Sequence, residues 1–135
     1  MRVVFADTGY WQAISNPRDQ LHSRAVDVSR ALGRVRQVTT EMVLAELLAA
    51  LSGTATRATA VQLVETIRND PNVDVVPQSS LQFRSAFDRY RNAADKAWSL
   101  ADCASFDVMA TRGIREALAH DRHFEQAGFV ALLRD

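Results

Sequence analysis

Residues 99–124 read SLADCASFDVMATRGIREALAHDRHF. Asp102 stands at the head of an amphipathic stretch in which Cys103, Phe106 and Ala110 recur at core-facing helical spacing. Gly113 stops that helix, the short apolar run 117–119 (ALA) follows, and a second acid, Asp121, comes just after it. A helix and a strand between two acids bring them together if both lie at the same end of a sheet, where open α/β folds form their ligand crevices. Ser99 and Asp102 also stand at capping-box spacing, so Asp102 has a structural role open to it as well. Asp107 lies about 140° further round the helix from Asp102 and reads as peripheral.

The N-terminus supplies the same arrangement. Residues 2–6 (RVVFA) form a nearly continuous apolar run, the pattern of a strand covered on both faces, and Asp7-Thr8-Gly9 follows directly. Asp7 is either a carboxylate at the carboxyl end of a central strand or the cap of a short helix over 10–15. From Pro17 and Asp19 a helix runs to Gly33 with Leu21, Ala25, Val28 and Leu32 as its apolar stripe. His22 on it reads as a surface or partner-facing residue. Residues 35–39 (VRQVT) are a second strand, and Thr39 or Thr40 caps the helix EMVLAELLAAL that ends near Gly53. Within it Glu46 is flanked by Met42, Val43, Ala49 and Ala50, so the helix reads as apolar all round and buried. A carboxylate there needs a partner, either an arginine or a metal ion. Glu41, in the first turn, suits the helix dipole whatever the function.

A helix over 56–69 is broken by Asn69-Asp70-Pro71, and 73–76 (VDVV) is a third strand. Ser79 or Ser80 opens another helix through Leu81, Phe83, Phe87 and Tyr90. A polar connection over 92–98 leads into the opening stretch, and 129–133 closes the chain as a last strand. Strands alternating with helices predict a single α/β domain over 1–135. It has three layers, with a mostly parallel central sheet of about five strands and helices on both faces.

The totals narrow the function. With 47% hydrophobic and 24% charged residues the chain is neither disordered nor membrane-embedded, and no apolar run approaches a bilayer span. The N-terminus meets an acid too soon for a signal peptide, and the one cysteine, Cys103, excludes an internal disulfide and a sulfur-rich zinc site. The expected compartment is the cytoplasm. Zero net charge argues against non-specific nucleic-acid binding, although the basic residues other than Lys96 are all arginine, which pairs with phosphate bidentately.

Asp7, Glu46, Asp102 and Asp121 can share one crevice only with a cation. Two carboxylates about 5 Å apart repel by roughly 3 kcal/mol at an effective dielectric near 20. All-oxygen ligation selects a hard ion, Mg²⁺ or Mn²⁺, suited to phosphodiester hydrolysis. His120 and His123 bracket Asp121 but form no zinc-type cluster and read as facing solvent. No serine–histidine–acid set, nucleotide-binding glycine loop or nucleophilic-cysteine context competes.

These residues resemble the PIN-domain ribonucleases, in particular the VapC-type toxins of bacterial toxin–antitoxin pairs. The resemblance rests on DTGYW after the first strand, T-x-x-V-x-x-E from Thr40 to Glu46, SLADCASF around Asp102, and AHDRHF followed by AGF. It implies a PIN-like fold in which Asp7, Glu46, Asp102 and Asp121 are the catalytic, metal-binding quartet. It further implies Mg²⁺- or Mn²⁺-dependent endonucleolytic cleavage of RNA by a metal-activated water, leaving a 5′-phosphate. Thr8, Arg112, Arg115 and Arg122 are then candidate substrate contacts. A cognate VapB-like antitoxin and a homodimer are the implied partners, with Tyr10, Trp11 and Trp98 as candidates to line the antitoxin groove. Many PIN domains carry a further acid two residues after the last one; here that position is His123, which leaves one or two metal ions open. The alternative is a PIN-like RNA- or protein-binding module with little or no nuclease activity. A phosphoacceptor or phosphatase of similar topology lacks its second acid, since Gly9 holds that place.

Overall fold

The computed structural model describes residues 1–134. Five parallel strands, β1 (Val3–Ala6), β2 (Arg36–Thr40), β3 (Val73–Val76), β4 (Glu116–Leu118) and β5 (Val130–Ala131), form one sheet in the order β3-β2-β1-β4-β5. Between them run α1 (Thr8–Ser15), α2 (His22–Leu32), α3 (Glu41–Ala50), α4 (Arg57–Asn69), α5 (Ser80–Asn92), α6 (Leu100–Arg112) and α7 (Arg122–Gln126). The chain leaves β1 toward β2 and β3, then returns across the sheet to β4. With right-handed crossovers, that reversal puts α1 to α4 over one face and α5 and α6 over the other. It also makes the gap between the carboxyl ends of β1 and β4 the switch point where a crevice opens.

The apolar runs are strands because both their faces are covered: Val4, Phe5, Ala6, Ala117 and Leu118 are fully buried. Phe106 of α6 anchors one face, its ring centroid 5.0 Å from both Trp98 and Phe124 and 5.8 Å from Phe129. Near the crevice, the buried Thr39 donates its hydroxyl to the Ala6 carbonyl (2.8 Å) and accepts from Trp11 Nε1 (3.4 Å). This ties β2, β1 and α1 together one residue before Asp7. Gly113 closes α6 in the left-handed region at φ 67°, where a side chain would be strained.

Several boundaries differ from the sequence reading, each for a local reason. α2 begins at His22 and not near Pro17, because Asp19 Oδ1 accepts from the Leu21 N–H (2.8 Å) and holds the preceding residues in a turn. Ala110, expected in the core, is exposed in the last turn of α6. β5 is only two residues long, and α7 appears where no periodicity marked a helix. α3 is not buried all round: Val43, Leu44 and Leu47 face the core, while Ala45, Leu48, Ala49 and Ala50 are exposed. Among the described residues no helix is long and apolar enough to cross a membrane.

Candidate metal centre

β1 delivers Asp7 to the crevice. Its N–H donates to the Leu118 carbonyl (3.2 Å), extending the β1–β4 pairing one residue past the end of β1. Asp7 sits at the N-cap position of α1, but its side chain makes no capping hydrogen bond, so the carboxylate is free to face the cleft. Thr8, the next residue, donates its hydroxyl to Glu46 Oε1 at 2.6 Å and so draws α3 toward α1. Thr40 caps α3 by accepting from the Val43 N–H (3.0 Å), which fixes the phase that points Glu46 inward. The partner of Glu46 is thus a hydroxyl and not an arginine.

The other two acids come from the two sides of β4. Ser99 and Asp102 form a complete capping box, the Asp102 N–H donating to Ser99 Oγ and the Ser99 N–H to Asp102 Oδ2, each at 3.0 Å. Asp121 caps α7 by accepting from the His123 N–H at 3.0 Å. That turn brings the His123 ring between the two carboxylates, its Nδ1 lying 2.9 Å from Asp102 Oδ2 and 3.2 Å from Asp121 Oδ2. Arg134 fastens the same loop, with Nη1 on the His120 carbonyl (3.1 Å) and Nε on Glu125 (2.8 Å).

Asp7, Glu46, Asp102 and Asp121 therefore line one open cleft of about 480 Å³, together with Thr8, Ser99, His120 and His123. The electrostatics carry the same message. Burial pushes the Asp7 carboxyl up to about 7 against the pull of the Thr8 N–H, and the charges of Asp102, Glu46 and Asp121 raise it further. Among the described residues no arginine or lysine pairs with any of the four, and the oxygen-rich donor set fits a hard divalent cation. Asp102, Asp121 and His123 each present a ligand atom within 4.8 Å of the others.

No family model matches the chain. Among curated proteins it is 28% identical over 133 residues to the 23S rRNA-specific endonuclease VapC20 of two Mycobacterium tuberculosis strains, covering 95% of this chain and 96% of the relative. A crystal structure of the same M. tuberculosis VapC20, described as a sarcin–ricin loop cleaving toxin, superposes with a TM-score of 0.84 at 29% identity over 94% of this chain and 96% of that one. The chain has the PIN-like fold of VapC20 and resembles it along nearly its whole length. Two more distant structures share the fold. They are VapBC2 of Rickettsia felis bound to promoter DNA (TM-score 0.66, 9% identity, 96% of both chains) and FitAcB of Neisseria gonorrhoeae (0.65, 17%, 95% of both).

Not every residue picked from the sequence reaches the centre of this PIN-like domain. Arg112 ends α6 at the opposite end of the helix from Asp102 and pairs with Asp74 of β3. Arg115 precedes β4, a strand length away from Asp121. Only Arg122, exposed at the start of α7, stays beside the acids in the chain. The Thr8 hydroxyl is committed to Glu46. Tyr10 and Trp11 are buried in the core at 3% and 6% exposure, whereas Trp98 is half-buried, packs edge-on to Phe106, donates to Gln126 Oε1 (3.1 Å) and lines a surface depression with Tyr90, Arg91 and Lys96. Asp107 is held by Ser85 and Arg89 of α5, away from the cleft. The sequence reading missed His123 as a member of the site. Its signal was the Asp-x-His spacing at a helix cap, which turns the second side chain back over the first.

Proposed function

We propose that this domain is a divalent-metal-dependent endoribonuclease, the toxin of a VapBC-type pair, acting in the cytoplasm. The observation that carries the reading is the convergence of four acids from four separate segments on one cleft that holds no balancing arginine or lysine among the described residues. Asp7, Glu46, Asp102 and Asp121 would hold the ion. Bound Mg²⁺ or Mn²⁺ supplies Lewis acidity toward a phosphate oxygen and lowers the pKa of water.

The chain's own part is preorganisation. Thr8 orients Glu46, the Ser99 N–H orients Asp102 and the His123 N–H orients Asp121, so these three carboxylates are set before RNA arrives. Asp7 sits behind them, on the backbone extension that joins β1 to β4. The open cleft admits a phosphodiester strand without a lid, and the exposed Arg122, between Asp121 and His123 in the chain, is the candidate phosphate contact. A synthetic sarcin–ricin loop, the target named for the M. tuberculosis relative, is the first substrate to test. Cleavage is expected with Mg²⁺ or Mn²⁺, is expected to stop on adding EDTA and to return with excess metal. Cleavage that survives EDTA rejects the metal-dependent reading, and RNA bound but left uncut makes the domain a binding module.

An antitoxin partner follows from charge as well as kinship. The cleft is acidic, so a basic side chain on a partner's tail would complement it and exclude substrate. Gln12 borders both this cleft and a neighbouring depression lined by Ser15, Asn16, Asp19 and Leu51, which gives such a tail a continuous path. For the homodimer, α5 exposes Phe83, Phe87 and Tyr90 along one face at 43–49%. Sedimentation is expected to give a dimer that Phe87→Asp returns to monomer; a monomeric wild type rejects this part.

A further inference from the structure

His123 stands where the four-acid scheme has no role for it. We propose that its Nδ1 is itself a ligand of the bound metal, and that this nitrogen biases the centre toward a first-row transition ion such as Mn²⁺ over Mg²⁺. The inference rests on the metal-centre reading above and deepens it.

Three observations carry it. The first is position: Nδ1 lies 2.9 Å from Asp102 Oδ2 and 3.2 Å from Asp121 Oδ2, with the side chain 20% exposed, so it sits among the carboxylates and not beside them. The second is spacing. Adjacent ligands of an octahedral ion with bonds near 2.1 Å are about 3.0 Å apart. The imidazole nitrogen already stands at that separation from one oxygen of each carboxylate, at 2.9 and 3.2 Å, and the tautomer with its ring proton on Nε2 would leave Nδ1 able to bind. The third is anchoring: the His123 N–H is bonded to Asp121 Oδ1, so the backbone that carries the ring is fixed by a carboxylate of the same centre.

The consequence for metal choice follows from ligand chemistry. Mg²⁺ takes oxygen ligands and gains little from an imidazole, whereas transition ions accept nitrogen readily. A neutral ring at this position, in place of a carboxylate, also gives the centre one negative charge fewer. That weakens the hard ion, whose binding depends most on charge.

Pulsed EPR on the full chain loaded with Mn²⁺ tests this directly. Nitrogen-14 coupling is expected in the wild type, is expected to persist in His120→Gln, the other histidine of the cleft, and to vanish in His123→Gln. By calorimetric titration with Mn²⁺ and Mg²⁺ alone, His123→Asp is expected to lower the preference for Mn²⁺ by about tenfold or more. Bound Mn²⁺ without nitrogen coupling in the wild type overturns the proposal while leaving the metal centre intact, and that spectrum does not depend on any variant folding. Coupling that disappears in His120→Gln and survives in His123→Gln overturns it too. Failure to bind Mn²⁺ at all overturns both this proposal and the metal-centre reading.

Discussion

Asp7→Asn is expected to abolish RNA cleavage and yet to raise the stability of the metal-free protein. The loss of activity follows from removing one of the four carboxylates that would hold the ion, and a fall of at least about 10³-fold is expected in a gel-based cleavage assay. The gain in stability follows from where Asp7 sits. Its carboxyl, pushed up to about 7, binds a proton more tightly folded than unfolded. This group's contribution therefore declines as pH rises from about 4 to about 7 and is flat above that range. The full difference corresponds to at most roughly 4 kcal/mol, and relaxation or water entering the open cleft reduces it. Asparagine keeps the shape and removes the charge. Thermal melts in EDTA at pH 8 should place Asp7→Asn several degrees above the wild type, roughly 3 °C per kcal/mol for a chain of this size. Equal melting temperatures from pH 5 to pH 8 for the two proteins, or undiminished cleavage by the variant, would reject the assignment. Asp102→Asn should lose cleavage to the same degree while keeping the start of α6 in place, since asparagine can still accept from the Ser99 N–H.

Adding metal should reverse that pH dependence. An ion that displaces the Asp7 proton binds more tightly as pH rises through about 7, so its stabilisation grows where the metal-free protein is weakest. At a hundred times its dissociation constant a ligand adds about 2.7 kcal/mol. An increase of roughly 8 °C in melting temperature is thus expected at pH 8, and a clearly smaller one at pH 5. The increase should be largely absent in Asp7→Asn. A metal effect of the same size at both pH values, or one retained in the variant, would show that the ion binds elsewhere on the acidic surface.

The sheet was legible because its strands are short apolar runs of a kind that only burial on both faces explains, and acids follow two of them directly. That placed Asp7 and Asp121 at one end before any coordinates, and the helices after β2 and before β4 supplied Glu46 and Asp102. What was hidden depended on direction in space. Arg112 and Arg115 are near the acids in the chain, yet α6 and β4 each run a full element length away from them, so nearness in sequence misleads. Tyr10 and Trp11 carry polar atoms that suggest a groove, but the indole N–H is satisfied inside by Thr39. α7, at five residues, is too short to show a period, and without its turn nothing reveals that the His123 ring folds back over Asp121. Glu46 was recognised for a reason the fold only half supports: α3 exposes one side, and the acid sits at its margin where the cleft begins.

The reciprocal bonds between Ser99 and Asp102 have a consequence for how this protein can change. One carboxylate both starts α6 and faces the reaction cleft, so drift at that position is restrained twice over. A substitution that merely silences chemistry, such as Asp102→Ala, would also fray the segment carrying Phe106 into the core. Inactive descendants of such a sequence would therefore be expected to retain residue 102 after Asp7 and Glu46, which cap no helix with their side chains, have gone.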